Sequence, residues 1–488
     1  MTLPLCRRLG WALVLVFAGS AALWAAGLTA GAGEATITPD VQATKVYMAG
    51  FGNNRVATGV HDDLWVRCVA LGSADAKLVM CDADLIGLFY DDVLKVRARV
   101  KAAAPDVTQV IVASAHDHEG PDTMGLWGRT PFESGIDPKY MDWLDGRIAG
   151  AALDALHSMQ PARLVIGRDD HPLLALLQDD SRPPYVKDPH LYALRLEALA
   201  GGKPIATLVN WSDHPETLDS RNTLITADYP HWLRQYVEDH AGGMAVFFNG
   251  AIGGLLSTLG DQVAMLDPDS GEVAKDGTWK KAEIFGDTIG ALALRALEAG
   301  EAAPVDSIVV RHTVIFSPVE NDRFRVAGAL EVYQGRKRLY TNGKPDPTVV
   351  ERELPGFGKV KVATGRDIQT EVDYIQLRGG GRLLAEIATV PGEIYPELVN
   401  GGITRYPGAD YAAAPLEPAL RAHMHSSYPM VFGLANDEIG YIIPKAEWDN
   451  VAPWLQLRKG RWYGEFNSAG PEMAGRVTRA LVDLMEEK

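Results

Sequence analysis

Gln109-Val-Ile-Val-Ala-Ser-Ala-His116-Asp-His118-Glu-Gly-Pro-Asp122 is the stretch whose reading decides the fold. Residues 109–112 are an apolar run of strand length, and the segment then turns polar with two imidazoles two residues apart. In an extended chain such residues project to the same side, so His116 and His118 can face one metal or one substrate. Gly120-Pro121 turns the chain away and leaves the imidazoles at an exposed edge. A His-x-His pair is also at home in an ordinary polar loop, and the spacing alone leaves both readings open.

Working outward, strand-like and helix-like runs alternate. Strands are expected at 64–71 and 78–81, an amphipathic helix at about 92–103, and the strand at 109–114. Asp137-Pro138 signals a helix start, with Met141, Leu144, Ile148, Ala152, Ala155 and Leu156 following at helical spacing. Further strands are expected at 191–197, 205–211 and 244–248. Pro230 opens a helix, and another is expected at 283–297. After Ala302 the texture changes: a strand at 308–316, a Gly-, Pro- and charge-rich excursion at 340–366, strands at 374–377 and 384–390, and a final helix from Pro471. The excursion reads as a flap and is expected to lid the site. The fold class is α+β or mixed α/β, a large sheet-centred body with flanking helices. At 488 residues the chain exceeds what one hydrophobic core, of roughly 250–300 residues, organises. Two sub-lobes, 40–302 and 303–488, are expected within one catalytic domain.

Hydrophobic residues make up 47% and charged residues 23%, which places the chain among folded globular proteins. A net charge of −16, with no basic patch, argues against a nucleic-acid partner. Met1 to Arg8 is basic, residues 9–28 are apolar, and a Gly- and Ala-rich flank follows. That order reads as a signal peptide over 1–32, cleaved near Ala32, giving a secreted or periplasmic protein with no stable membrane span after its removal. An uncleaved anchor is the alternative. Cys68 and Cys81 fall opposite each other across an expected hairpin turn at 72–76. A disulfide and a pair of buried thiols are equally open.

Three further segments present polar groups where apolar runs stop. Asn210-Trp-Ser-Asp-His214-Pro-Glu-Thr217 ends a strand, as does Ala388-Thr-Val-Pro391-Gly392-Glu393. Gly433-Leu-Ala-Asn-Asp-Glu-Ile-Gly440-Tyr441 is a Gly-bracketed turn entering a short strand. A sheet gathers strand ends into one place, so these groups are candidates for a common site. Each alone is ordinary turn chemistry.

His116-Asp-His118 with Gly120-Pro121, the Asn-x-x-x-His-Pro segment at His214, Leu224-Ile-Thr-Ala-Asp228-Tyr-Pro230, Val390-Pro-Gly-Glu393 and Leu434-Ala-Asn-Asp437 with Gly440-Tyr441 resemble, in order, the motifs of neutral ceramidases. The resemblance runs from about Met48 to the last helix. It implies one zinc ion held by His116, His214, Glu393 and Tyr441, with the tyrosine oxygen alternatively bonding the tetrahedral intermediate. It implies His118 as proton shuttle or oxyanion partner, and a zinc-activated water as nucleophile. Asp117, Glu119, Asp122 and Asp213 are candidates for fixing imidazole tautomers. All but Asp213 read better as solvated loop carboxylates.

Two departures stand out. Where the family has an aspartate and a serine, Phe248-Asn-Gly-Ala-Ile-Gly253-Gly254-Leu-Leu256-Ser257 places Gly254 and Leu256, with Ser257 one position late. The Gly-rich turn can still offer N–H groups to an oxyanion. The resemblance also covers the catalytic domain alone: ceramidases continue past the tyrosine motif into a β-sandwich domain, which is not expected here. The expected function is a secreted zinc-dependent hydrolase of an amide or related acyl bond, on a small-molecule or lipid-like acyl substrate. The alternatives are an esterase or lactonase on the same scaffold, Ser257 as nucleophile with His118 as base, and a noncatalytic periplasmic binding protein.

Overall fold

The computed structural model describes residues 27–254, 256–260, 263–334, 339–354, 358–362, 366–405, 408–450 and 464–487. Eight strands hydrogen-bond in the order Met244–Asn249, Pro204–Trp211, Leu191–Ala198, Gln160–Asp169, Thr29–Thr36, Trp65–Gly72, Lys77–Ala83, Gln109–Ser114, and Glu301–Ala303 adds a ninth on Gln160–Asp169. The two outer pairs are parallel, and parallel neighbours need a crossover. Helix Tyr90–Ala103 supplies it before Gln109–Ser114 and helix Tyr229–Ala241 before Met244–Asn249.

The sheet curls until its ends meet. Arg67 Nη1, in mid-sheet, donates to Ala245 O at 2.7 Å on the opposite edge strand. Asn249 Nδ2 donates at 2.8 Å to Ala115 O, just beyond the other edge strand. His116 and His214, which leave the sheet near opposite edges, are thereby brought together.

A second sheet holds Lys344–Pro345, Tyr340–Thr341, Asp367–Gly379, Arg382–Thr389 and Pro429–Phe432 in that order, with Ser307–Pro318 beside Asp367–Gly379. The passage from one sheet to the other falls at 303–307. The sheets nevertheless share one core, in which Leu71, Leu164 and Leu208 meet Ile375, Leu377 and Ile387. Phe248 stacks on Phe432 with centroids 4.2 Å apart. Each large apolar side chain so buried stabilises by about 1.5–3 kcal/mol.

On the other face, helix Pro138–His157 is capped by Asp137, whose side chain accepts from Lys139 N. It buries Met141, Leu144, Ile148, Ala152 and Ala155 of the face its periodicity predicts, and leaves Leu156 half-buried. It lies against Thr29–Thr36 so closely that a Cβ at Gly31 would sit 2.1 Å from Ala155 O.

Thr29–Thr36 pairs along its whole length with Trp65–Gly72, and Leu28 is buried in the shared core. The expected cleavage point near Ala32 falls within this strand. Cys68 and Cys81 are register partners and form a disulfide. Of the 340–366 excursion, Val350–Leu354 and Gly358–Val362 make a hairpin that packs Leu354 and Val362 on Val326 of helix Asp322–Ala329. Residues 355–357 and 363–365 lie outside the described set. The last helix, Met473–Glu486, buries Met473, Val477, Leu481 and Leu484 as its spacing predicts. Among the described residues no helix is long and apolar enough to cross a membrane.

Candidate metal centre and its cavity

Past Ser114 the backbone of the decisive stretch is held by Ser114 N donating to Leu434 O and Ala115 N donating to Ala83 O. His116 then adopts φ +67°, a left-handed conformation uncommon outside glycine and concentrated at functional sites. Its Nδ1–H donates to Ile86 O at 2.8 Å. A carbonyl only accepts, so the proton is on Nδ1 and Nε2 keeps a lone pair. His214 is arranged the same way. Its backbone N–H and its Nδ1–H both donate to Leu256 O. Glu393 Oε2 lies 3.2 Å from His214 Nε2 and 3.5 Å from His116 Nε2.

His118 completes the group. A ring nitrogen from each of His116, His118 and His214 falls within 4.8 Å of the others, and all three rings are buried. Neither nitrogen of His118 hydrogen-bonds to the described residues, and Nδ1 lies 3.4 Å from Glu216 Oε2. Buried polar atoms without partners are rare in proteins and ask for a ligand. Three imidazoles with exposed lone pairs beside a carboxylate fit a metal ion. Burial, with the neighbouring His214, pushes His116 down to about 4. Burial and the other two imidazoles hold His118 well below its ordinary range. Both are therefore neutral at pH 7, as ligation requires. Burial also pulls His214 down, but the nearby Glu393 and Glu216 carboxylates outweigh it, and its pKa is raised.

Tyr441 stands beside this group. Glu393–Ile394 and Tyr441–Ile442 form a two-stranded parallel ladder in which Glu393 and Tyr441 are register partners. Both line, with His116 and His118, a cavity of about 970 Å³. Its other walls include Phe51, Phe89, Met124, Trp127, Phe324 and Ile439. Apolar walls around a few converging polar groups are the usual make-up of a small-molecule site.

The remaining predicted residues are placed differently. Ser257 would need to face His118 to act as nucleophile. Its Oγ instead donates to Glu216 Oε1, and its backbone N and O pair with Asp179. Gly253 N–H is taken by Ile394 O at 2.8 Å and is not open to an oxyanion. The departing turn has another role: Leu256 presents the carbonyl that orients His214, and a Cβ at Gly253 would sit 2.3 Å from Glu393 O.

Asp213 Oδ1 accepts from the backbone N of His214. Asp117, Glu119 and Asp122 are not solvated. Asp117 and Glu119 are fully buried, and Glu119 pairs with Arg55 at 3.0 Å while Arg55 also binds His118 O. Asp122 accepts the N–H groups of Met124, Gly125 and Trp127. Sequence reasoning assigned no role to Glu216 or Asn249. Asn249 bonds Ala115 O and Asp213 O, each at 2.8 Å, and so joins the two histidine segments.

This geometry can be set beside known proteins. No protein-family profile matches the chain, and no curated protein matches it in sequence. Among solved structures, neutral ceramidase from Pseudomonas aeruginosa aligns with a TM-score of 0.64 at 18% identity, over 94% of this chain and 74% of that one. The chain has the neutral ceramidase fold. A ceramidase complexed with C2 aligns with a TM-score of 0.65 at 19% identity, over 94% of this chain and 75% of that one. The ceramidase fold thus accounts for the mixed α/β architecture with its large central sheet. At under 20% identity the shared backbone outlasts most of the sequence.

Proposed function

We propose that this chain is an exported, zinc-dependent hydrolase that cleaves the amide bond of an acyl, lipid-like substrate. The observation that carries the reading is the meeting of three buried imidazoles and the Glu393 carboxylate in an apolar cavity. The fold shared with neutral ceramidases supports amide cleavage.

His116, His214, Glu393 and Tyr441 would hold the ion. His116 and His214 have the tied Nδ1–H that orients a ligating imidazole. Zinc in such a site supplies Lewis acidity and a water acidified to near neutrality. His118 differs from the other two, since its Nδ1 meets a carboxylate, Glu216, instead of a carbonyl. That suits it to take a proton from the attacking water and pass it to the leaving nitrogen. Tyr441 is placed to bond the oxygen of the tetrahedral intermediate as an alternative to ligation. The disulfide between Cys68 and Cys81 supports export, because such bonds persist in oxidising compartments.

Metal analysis with hydrolysis of a panel of N-acyl amides, esters and lactones tests the reading. The parent is expected to carry about one equivalent of zinc per chain and to cleave amides. His116→Ala is expected to lose both metal and turnover, and His118→Ala turnover alone. A folded, metal-free and inactive parent would sink it in favour of a binding protein; faster ester or lactone cleavage would redirect it to those bonds.

A further inference from the structure

One group in the cavity is not needed for hydrolysis. Arg323, in the first turn of helix Asp322–Ala329, is half-buried and lines the same cavity as His116 and Glu393. Its guanidinium lies over the Phe466 ring at 3.9 Å, and Nη1 donates to Asn467 Oδ1 and to Phe466 O. Nε and Nη2 make no hydrogen bond to the described residues.

No carboxylate among the described residues pairs with Arg323. The nearest acid in sequence, Asp322, is already shared by Arg325 at 2.7 Å and Arg352 at 2.8 Å. Glu331, the exposed carboxylate of the same wall, makes no ion pair with it. Lys361 lines the cavity too, also without an ion pair to the described residues. Acidic residues outnumber basic ones 63 to 47 in this chain, so carboxylates are not scarce. Burial pulls the Arg323 pKa down, against the opposing charge of Tyr333. A partly desolvated cation is costly unless paired, and a guanidinium fork is suited to carboxylate, sulfonate or phosphate oxygens.

We infer that the substrate is an anionic amphiphile, an acyl amide whose hydrocarbon part fills the apolar walls and whose charged end is received by Arg323. This rests on the hydrolase reading for its chemistry: water oxygen bonds to the acyl carbon, the carbon–nitrogen bond breaks, and the amine nitrogen takes the proton. Arg323 is a specificity-determining residue and touches none of those atoms.

Three amides test it on the full metal-loaded chain. N-dodecanoylethanolamine is uncharged. N-dodecanoylglycine has a carboxylate on the amine side, and the monoethanolamide of dodecanedioic acid has one at the far end of the acyl chain. Affinity is read as KM where the amide is cleaved and by calorimetry where it is not.

At least one anionic amide is expected to bind roughly tenfold or more tighter than the neutral one, the scale of a charge-assisted hydrogen bond. Arg323→Met is expected to abolish that preference by weakening the anionic amide, with less than a threefold change for the neutral one, and Arg323→Lys to restore part of it. Equal affinity for all three amides, a preference that survives Arg323→Met, or equal loss on charged and neutral amides would overturn the inference. If no amide is cleaved but the charge preference is present and depends on Arg323, the hydrolase reading fails and the anion site stands.

Discussion

The metal centre and the cavity wall are built by different means. At the centre, His116 and His214 are each fixed by a backbone carbonyl, Glu393 by a strand ladder, and the segments behind them by Asn249. Along the wall, Phe324 and Leu339 are half-buried, while Val349 and Lys361 are exposed and belong to the 340–366 excursion. The contrast teaches where each property resides. On the proposed function, the hydrogen-bonded centre would set the chemistry and the more exposed wall what enters.

Predictions can break that division or sharpen it. The largest effect is expected at the centre. His214→Ala should remove the metal and lower turnover roughly a thousandfold or more, with metal analysis and initial rates as the check. Retained metal would show that His118 can replace His214 as a ligand. Next comes Gly253→Ala, which touches no ligand side chain. Its Cβ must displace the Glu393 backbone, and metal affinity is expected to fall about 10- to 100-fold, measured by chelator competition.

On the wall, Phe324→Ala should raise KM about tenfold with metal content intact, since it removes apolar surface from the cavity and no ligand. Metal loss in this variant would erase the distinction between the regions.

The smallest effect is one of pH. Burial, reinforced by the charge of Glu447, raises the Glu397 carboxyl to about 8, against an ordinary value of 4.5. The folded state then keeps a proton that the unfolded chain has released. The contribution of Glu397 to stability is full below about pH 4.5 and is lost as the pH rises through about 8. Melting temperature should fall across that window, and Glu397→Gln should flatten the fall by about 2 °C, read by thermal unfolding at pH 5 and pH 8.

Much of this was legible in the sequence, because hydrophobic period reports on local structure. The strand Gln109–Ser114 matches its predicted bounds, and Pro138–His157 shows the predicted buried face. The ordered motifs pointed to the ceramidase fold, and the structure brings His116, His118, His214, Glu393 and Tyr441 together. Other features depend on distant parts of the chain. The curl that unites opposite sheet edges has no local signature. Glu119 and Asp122 read as solvated because nothing nearby in sequence announces that Arg55 receives one and three backbone N–H groups the other, and the burial of Asp117 is equally silent. Ser257 was weighed for its hydroxyl, which Glu216 takes.

Leu256 grips the site through its backbone, and that has an evolutionary consequence. The carbonyl that orients His214 would be supplied by almost any amino acid at that position, so drift there erases letters without moving atoms. Ile86 stands in the same relation to His116. Relatives of this chain will therefore be recovered by comparing shapes long after comparison of residues has failed, and a missing serine in the turn is a poor reason to discard one.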